Sequence, residues 1–450
     1  MTVREVLGGW LLAGVAAAAL SAEAGAGGLA LREQSAVGQG SSFAGAGTPG
    51  MGLSAMFWNP AAVTQARGLW TEVHGTLVLP NSDINVLPGT TLPLVLLGEG
   101  TGNIGEVGVI PASYTAYQIS PDWYVGLAVS APFGLSTRMG IPSPSQQLAL
   151  RGSAMSIDVN PVVGWRINDW LSVAAGPRLM WFKGEFSRAA LPLPVSPGNV
   201  ATLDTDDYGW GFSAGVTITP GPKTEIALGY RSQVDLNLEG NADLPALAGL
   251  PPGPFPITGD VTLPDMLTLG VRQRVSDRFT LLGTVEWTNW GVVQNVPFNI
   301  TGGPLAGTPP GTPVTTLTFN YRDGWFFSLG GEYEWDPVTT LRAGIGYEIS
   351  PVTDKIRDPS LPDNNRWWFS AGVSRKILPQ LTMDFGYSFI WVESAPINVV
   401  PGHPDYANLL PGLFPGVAYV AEAETDIHIV SVALRHKWNE TGPQPVIAKY

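Results

Sequence analysis

Four histidines (His74, His403, His428 and His436) and no cysteine are all that the chain offers as nucleophile partners and soft metal ligands. Nucleophilic catalysis needs a nucleophile and a base within reach, and no serine or carboxylate stands at a telling interval from any of these histidines. There is no glycine-rich phosphate loop and no metal-binding spacing, so no catalytic residue, cofactor or metal is expected and the chain does not read as an enzyme. The lack of cysteine also removes disulfides and leaves nothing to mispair in an oxidising compartment. The chemistry left is a set of isolated charges of both signs within apolar segments: Glu72, Arg178, Arg231, Glu286, Arg342 and Asp384. Charges so placed are expected to pair across an interior, which argues against a wide ion-selective pore.

The elements that carry these charges alternate with a period of two. In 224–238, Ile226, Leu228, Tyr230, Val234, Leu236 and Leu238 share one parity, and Glu225, Arg231, Gln233, Asp235 and Asn237 the other. In 381–393, Leu381, Met383, Phe385, Tyr387, Phe389 and Trp391 oppose Thr382, Asp384, Gly386 and Ser388. One face of each strand is assigned to lipid and the other to a polar lumen. Short polar turns near 66–68, 119–122, 166–169, 219–223, 275–278, 334–337 and 377–380 alternate with long apolar excursions near 81–106, 136–153, 189–207, 239–260, 292–314, 349–366 and 394–421. Short turns at one end and long loops at the other are the threading of an up-and-down membrane barrel. The expected fold is therefore all-β, an antiparallel transmembrane barrel of about 14 strands spanning 68–438. Tryptophans gather near the strand ends, among them Trp123, Trp170, Trp335 and Trp391, as interfacial girdles do.

Mean hydropathy is +0.13 with 14% charged residues, yet beyond the first two dozen residues no apolar run is long enough for a spanning helix. Residues 1–24 read as a secretory signal peptide: Arg4, an apolar stretch from Val6 to Leu20, and small residues at Ala22 and Ala24 or at Ala24 and Ala26. A net charge of −13 argues against nucleic acid as a partner. Residues 25–67 are rich in Gly and Ala and end in Trp58-Asn59-Pro60-Ala61-Ala62, which fits a compact hatch inside the lumen, since small residues let backbone pack against strand interiors. Residues 439–450 read as a C-terminal tail.

The chain resembles the FadL/TodX family of outer-membrane transporters of long-chain fatty acids and hydrocarbons over about 28–438. The resemblance is carried by Leu31-Arg32-Glu33-Gln34-Ser35, the glycines from Gly38 to Gly47, Asn59-Pro60-Ala61, Tyr230-Arg231-Ser232-Gln233-Val234, Leu263-Pro264-Asp265-Met266, Trp287-Thr288-Asn289-Trp290 and 361–368. It implies a bacterial outer-membrane barrel, monomeric, plugged by a hatch that carries Asn59, Pro60 and Ala61. It also implies passive uptake of a fatty acid or other hydrophobic molecule by capture in apolar loops, binding in a lumen pocket, and sideways release into membrane lipid through a kinked third strand. Pro132 and Gly134 interrupt that strand here, and local chemistry agrees, because proline removes a ladder donor and glycine tolerates bent backbone. The family's headgroup-binding positions match Arg188 and Arg322, both assigned to the lumen face, and arginine grips a carboxylate through two donors. The family's ligand-contacting serine aligns with Ala131, with Ser130 adjacent, and Phe133 completes the expected site. Uptake of neutral aromatic or alkane hydrocarbons is the alternative; a barrel lipase, acyltransferase or general porin fits the residues less well.

Overall fold

The computed structural model describes residues 28–192, 197–246, 252–302, 311 and 313–438. The signal-peptide segment, the first residues of the expected hatch, the 439–450 tail and the apolar stretch Leu193-Pro194-Val195 lie outside them. Among the described residues, 14 antiparallel strands close into a barrel. β1 is Leu69–Val86, β2 Gly108–Gln118, and β3 comes in two pieces, Trp123–Ser130 and Gly134–Arg138. β4 (Arg151–Arg166), β5 (Leu171–Ala189) and β6 (Val200–Gly221) are continuous. β7 to β10 are each split: Thr224–Arg231 and Val234–Asp243; Phe255–Leu263 and Met266–Arg274; Phe279–Thr288 and Asn295–Ile300; Pro313–Thr318 and Gly324–Asp336. β11 (Thr339–Ile349), β12 (Arg366–Leu378), β13 (Leu381–Val392, then Ala395–Val399) and β14 (Tyr419–Lys437) complete the wall. β14 then pairs with β1 in unbroken register from Trp70 opposite Lys437 to Val86 opposite Ala421, leaving no edge for lipid to meet.

Alternation decides what faces where. In β4, Ala154, Ser156, Asp158, Asn160 and Val162 are buried while Val163 and Trp165 stand exposed on the outer wall. β13 follows the sequence reading, with Met383, Phe385 and Trp391 outside and Asp384 and Ser388 buried inside. The 224–238 reading is corrected in its second half: Leu228 is exposed, but Val234, Leu236 and Leu238 are buried inside. Ser232 and Gln233 separate the two pieces of β7, and the lapse in strand geometry turns the second piece over so that the same parity serves the opposite face. Several long excursions also prove to be strand, since β6 begins at Val200 and β7 and β8 pair out to Ala242 and Phe255. The barrel wall therefore stands taller at the long-loop end than the turn signals suggested.

Residues 28–67 fold within the barrel as one short helix, Ala36–Gln39, and tight turns at Pro49–Met51, Leu53–Phe57 and Pro60–Gln65. Nearly all of them are buried. The wall admits them because it is glycine where they touch. A methyl group on Gly229 would overlap the Trp58 carbonyl, on Gly270 the Ala46 carbonyl, and on Gly344 the Ser41 carbonyl. On Gly372 it would stand 2.7 Å from the Cα of Gly40, and on Gly126 2.7 Å from Met56 and Val63. The lumenal charges pair as expected. Glu286 bonds Arg32 of the inner segment, Arg342 bonds Glu332 at 2.7 Å, Asp384 bonds Arg435 at 2.6 Å, and Glu72 accepts the Leu53 and Ser54 amides at 2.8 and 3.0 Å.

Gly229→Val should therefore unseat the inner segment without opening the barrel, costing about 1–3 kcal/mol as an overpacked contact. Limited proteolysis should then cut within 28–67 while the strand signal in circular dichroism stays; equal protease resistance in variant and wild type would refute the close approach.

Candidate functional site

At the long-loop end the lumen opens into a cleft of about 1070 Å³, mouth included. Its walls are mostly apolar: Leu135, Phe186, Leu203, Leu244, Leu317 and Phe319 are representative. Arg188, near the end of β5, reaches this cleft, and among the described residues its one side-chain hydrogen bond runs 3.5 Å to the Thr315 hydroxyl. Among the described residues no carboxylate stands within ion-pair distance of Arg188, but Asp358 and Asp405 line the same space. Asp405 lies in the turn Pro404–Leu409 in the loop before β14, and one of its carboxylate oxygens is buried without a hydrogen-bond partner, 3.8 Å from His403 Nδ1. Burial, with the Asp358 carboxylate in second place, pushes the Asp405 carboxyl up to about 7, against the pull of Arg188.

Below the cleft the wall changes character at the break in β3. The inner piece pairs with β2 from Val129 to Tyr124, whereas the outer piece pairs with β4 and, on its other side, meets residues 104–106 through Gly105 opposite Thr137 and not β2 itself. Between them Ala131, Pro132 and Phe133 have left the ladder, so their backbone groups need other partners. The inner segment supplies most of them. Leu31 N donates to Pro132 O at 2.8 Å, Gly134 N to Leu29 O at 2.9 Å, and Gln34 both accepts from Ala131 N at 3.2 Å and donates to Ala131 O at 2.7 Å. Phe133 N donates to the Ser156 hydroxyl, which returns a bond to Phe133 O, each at 2.8 Å. The break is thus an interruption and not a strand end.

The expected site residues fall into three places. Arg188 lines the cleft. Arg322 does not: it is exposed, and its Nε donates to Ser350 O at 3.0 Å, while the neighbouring Tyr321 is buried and lines the cleft. The lumen assignment for Arg322 is therefore corrected; residues 319–323 are not strand, so parity carried across them has no meaning. Ser130 ends the inner piece of β3, buried and in register with Asp158, below the cleft. Phe133 packs edge-on against Trp290 at 6.1 Å. Pro132 and Gly134 sit at the break with Leu29–Gln34, but Asn59, Pro60 and Ala61 are anchored elsewhere. The Asn59 amide group donates to Gly47 O, Val216 O and the Thr217 hydroxyl at 3.1, 3.2 and 2.9 Å, and its oxygen caps Ala61 N at 3.0 Å. The contacts of Leu29–Gln34 with the break, and the part of Tyr321 and Asp405 in the cleft, escaped the sequence reading; the unbonded Pro132 position was the one available signal.

A closed barrel with a filled lumen, an apolar cleft at its long-loop end and an interrupted strand beside it is an outer-membrane transport protein, not a soluble sandwich. The sequence profile described as outer membrane protein transport protein (OMPP1/FadL/TodX) matches residues 17–438, and the chain belongs to that family. A long-chain fatty acid transport protein of Salmonella typhi is 25% identical over 415 residues, covering 86% of this chain and 92% of that protein. Among solved structures, a Pseudomonas aeruginosa FadL homologue superposes with a TM-score of 0.77 at 20% identity, covering 92% of this chain and all of its own (100%). The Pseudomonas putida toluene transporter TodX gives a TM-score of 0.66 at 17% identity over 90% of this chain and 98% of its own.

Asn59→Ala removes two donor contacts to the wall, one to Gly47 of the inner segment and the turn's cap together, a loss on the order of 2 kcal/mol or more. Steady ion conductance of the variant in planar bilayers should rise above that of wild type; equal conductance would show that Asn59 does not hold the lumen shut.

Proposed function

We propose that the chain carries long-chain fatty acids or similar amphiphiles passively across the outer membrane, from the cleft, past residues 28–34, to membrane lipid through the break in β3. The observation that carries this reading is Arg188, a cation reaching a mostly apolar cleft and held, among the described residues, by a single long hydrogen bond. An acyl chain suits the apolar lining and a carboxylate suits the guanidinium. The fatty acid transport named for the Salmonella typhi relative supports the same substrate class. Residues 28–67 act as the hatch in this reading, because the backbone at the break is bonded to them and must be released before the wall can part. Downhill movement of an amphiphile needs no bound nucleotide or metal.

A specific observation also favours neutral hydrocarbons as cargo: Asp405 and Asp358 share the cleft and balance much of the charge of Arg188. Equilibrium binding separates the two. Arg188→Ala should weaken oleate about tenfold or more while leaving toluene unchanged. Tight toluene binding with oleate indifferent to the substitution would assign the chain to hydrocarbons.

Asp405 adds a pH dependence. Below about 7 its carboxyl is protonated and leaves Arg188 to the ligand; above that the carboxylate competes for Arg188 and repels an incoming anion. An alkyl sulfonate, ionised throughout, should therefore bind more weakly as pH rises through about 7 in wild type, and Asp405→Asn should flatten the profile. A wild-type profile that is already flat would remove Asp405 from the site.

A further inference from the structure

The cleft holds charges of both signs that do not touch. Arg188 is the cation, and Asp358 and Asp405 are the anions; the other charged residue of the lining, Arg151, is shared by Glu185 at 3.5 Å and Glu106 at 3.8 Å. Arg138 also holds Glu106, at 2.8 Å, so those four groups balance among themselves. Neither cation beside Asp358 in sequence pairs with it among the described residues: Arg357 is buried and bonds the Asp354 carboxylate at 2.6 Å, and Lys355 is exposed. His403 stands 3.8 Å from Asp405 but is no counterion, because its Nδ1 accepts the Asp405 backbone N–H at 3.1 Å and burial pushes the imidazole pKa down, which favours the neutral ring. The lining therefore carries two carboxyl groups against one guanidinium, an excess of one negative charge wherever Asp405 is ionised.

Each carboxyl group has one oxygen committed and one spare. Oδ1 of Asp358 accepts the Ser360 N–H at 2.8 Å, the Ser360 hydroxyl at 2.6 Å and the Leu361 N–H at 3.3 Å, which fixes the side chain in a turn and leaves the other oxygen without a hydrogen bond among the described residues. Oδ1 of Asp405 accepts the Asn408 side-chain N–H at 3.4 Å, and Oδ2 is the buried oxygen that nothing donates to. A buried acceptor left open costs about 1–3 kcal/mol, so one at the wall of a cleft asks for a donor from outside. Among the described residues no group of three His, Asp or Glu side chains is placed to hold a metal ion, whereas an ammonium brings three N–H donors and the missing positive charge together.

We infer that the cleft selects amphiphiles whose head carries an ammonium beside its carboxylate, as a 2-amino fatty acid does: the carboxylate lies on Arg188, the ammonium on the spare oxygens of Asp358 and Asp405, and the alkyl chain along Phe186, Leu203 and Leu317. This rests on the uptake reading above and narrows its cargo. A plain fatty acid satisfies Arg188 but faces two carboxyl groups of its own sign, and a neutral hydrocarbon satisfies none of the three. The zwitterionic head meets them all, and its ammonium holds Asp405 in the ionised form.

The test measures equilibrium binding of three ligands to the full-length barrel in detergent at about pH 8, above the range in which Asp405 takes up a proton. The ligands are dodecanoate, 2-aminododecanoate and N-acetyl-2-aminododecanoate, whose nitrogen carries no charge. The 2-amino acid should bind about tenfold or more tighter than either of the others. Asp405→Asn should remove most of that preference, and so should Asp358→Asn, which keeps an oxygen for the turn. Because the comparison is between ligands on one protein, a loss of folded barrel lowers all three together and does not imitate a lost preference. If dodecanoate binds and the 2-amino acid binds no tighter than its N-acetyl form, the ammonium site is overturned while uptake of fatty acids stands; a preference that survives both substitutions overturns it as well. If the 2-amino acid binds and dodecanoate does not, the ammonium site stands and plain fatty acids are removed as cargo.

Discussion

Everything inside this barrel depends on backbone meeting backbone at glycine. A 14-stranded wall leaves a lumen too wide for side chains alone to fill, and the inner segment fills it only by pressing carbonyls and Cα atoms against strand positions that lack a Cβ. Trp58, Ala46, Ser41, Ala36 and Gly40 meet Gly229, Gly270, Gly344, Gly386 and Gly372, so β7, β8, β11, β13 and β12 each give one glycine to the same contact zone. That zone sorts the lumenal side chains. Charge pairs such as Arg342 with Glu332 and Asp384 with Arg435 lie toward the short-turn end, and the apolar residues that form the cleft lie toward the long-loop end.

The same segment completes the wall it presses against. Where β3 is interrupted, a membrane barrel would otherwise expose backbone N–H and C=O groups, a state that lipid does not tolerate. Leu29, Leu31 and Gln34 take up those groups from inside, and Ser156 takes up the rest from the neighbouring strand. Closure of the side wall and seating of the inner segment are thus one set of hydrogen bonds. At the break Gln34 holds only Ala131, so the bonds of Leu29 and Leu31 must break with those of Gln34 before segment and wall come apart.

Much of this was legible in the sequence because period-two alternation survives wherever a strand is straight. β13 and the inner piece of β7 follow it residue by residue, and the charges at Glu72, Arg178, Arg231, Glu286, Arg342 and Asp384 are buried and partnered. The failures fall where strands are broken. Val234, Leu236 and Leu238 face inward because Ser232 and Gln233 reset the face, and Arg322 points away because Phe319 to Asp323 is coil, with Asn320 in left-handed backbone at a φ of 42°. The partners of the β3 break were out of reach for a different reason. Gln34 and Ala131 are 97 positions apart, and no local pattern reports a hydrogen bond of that kind.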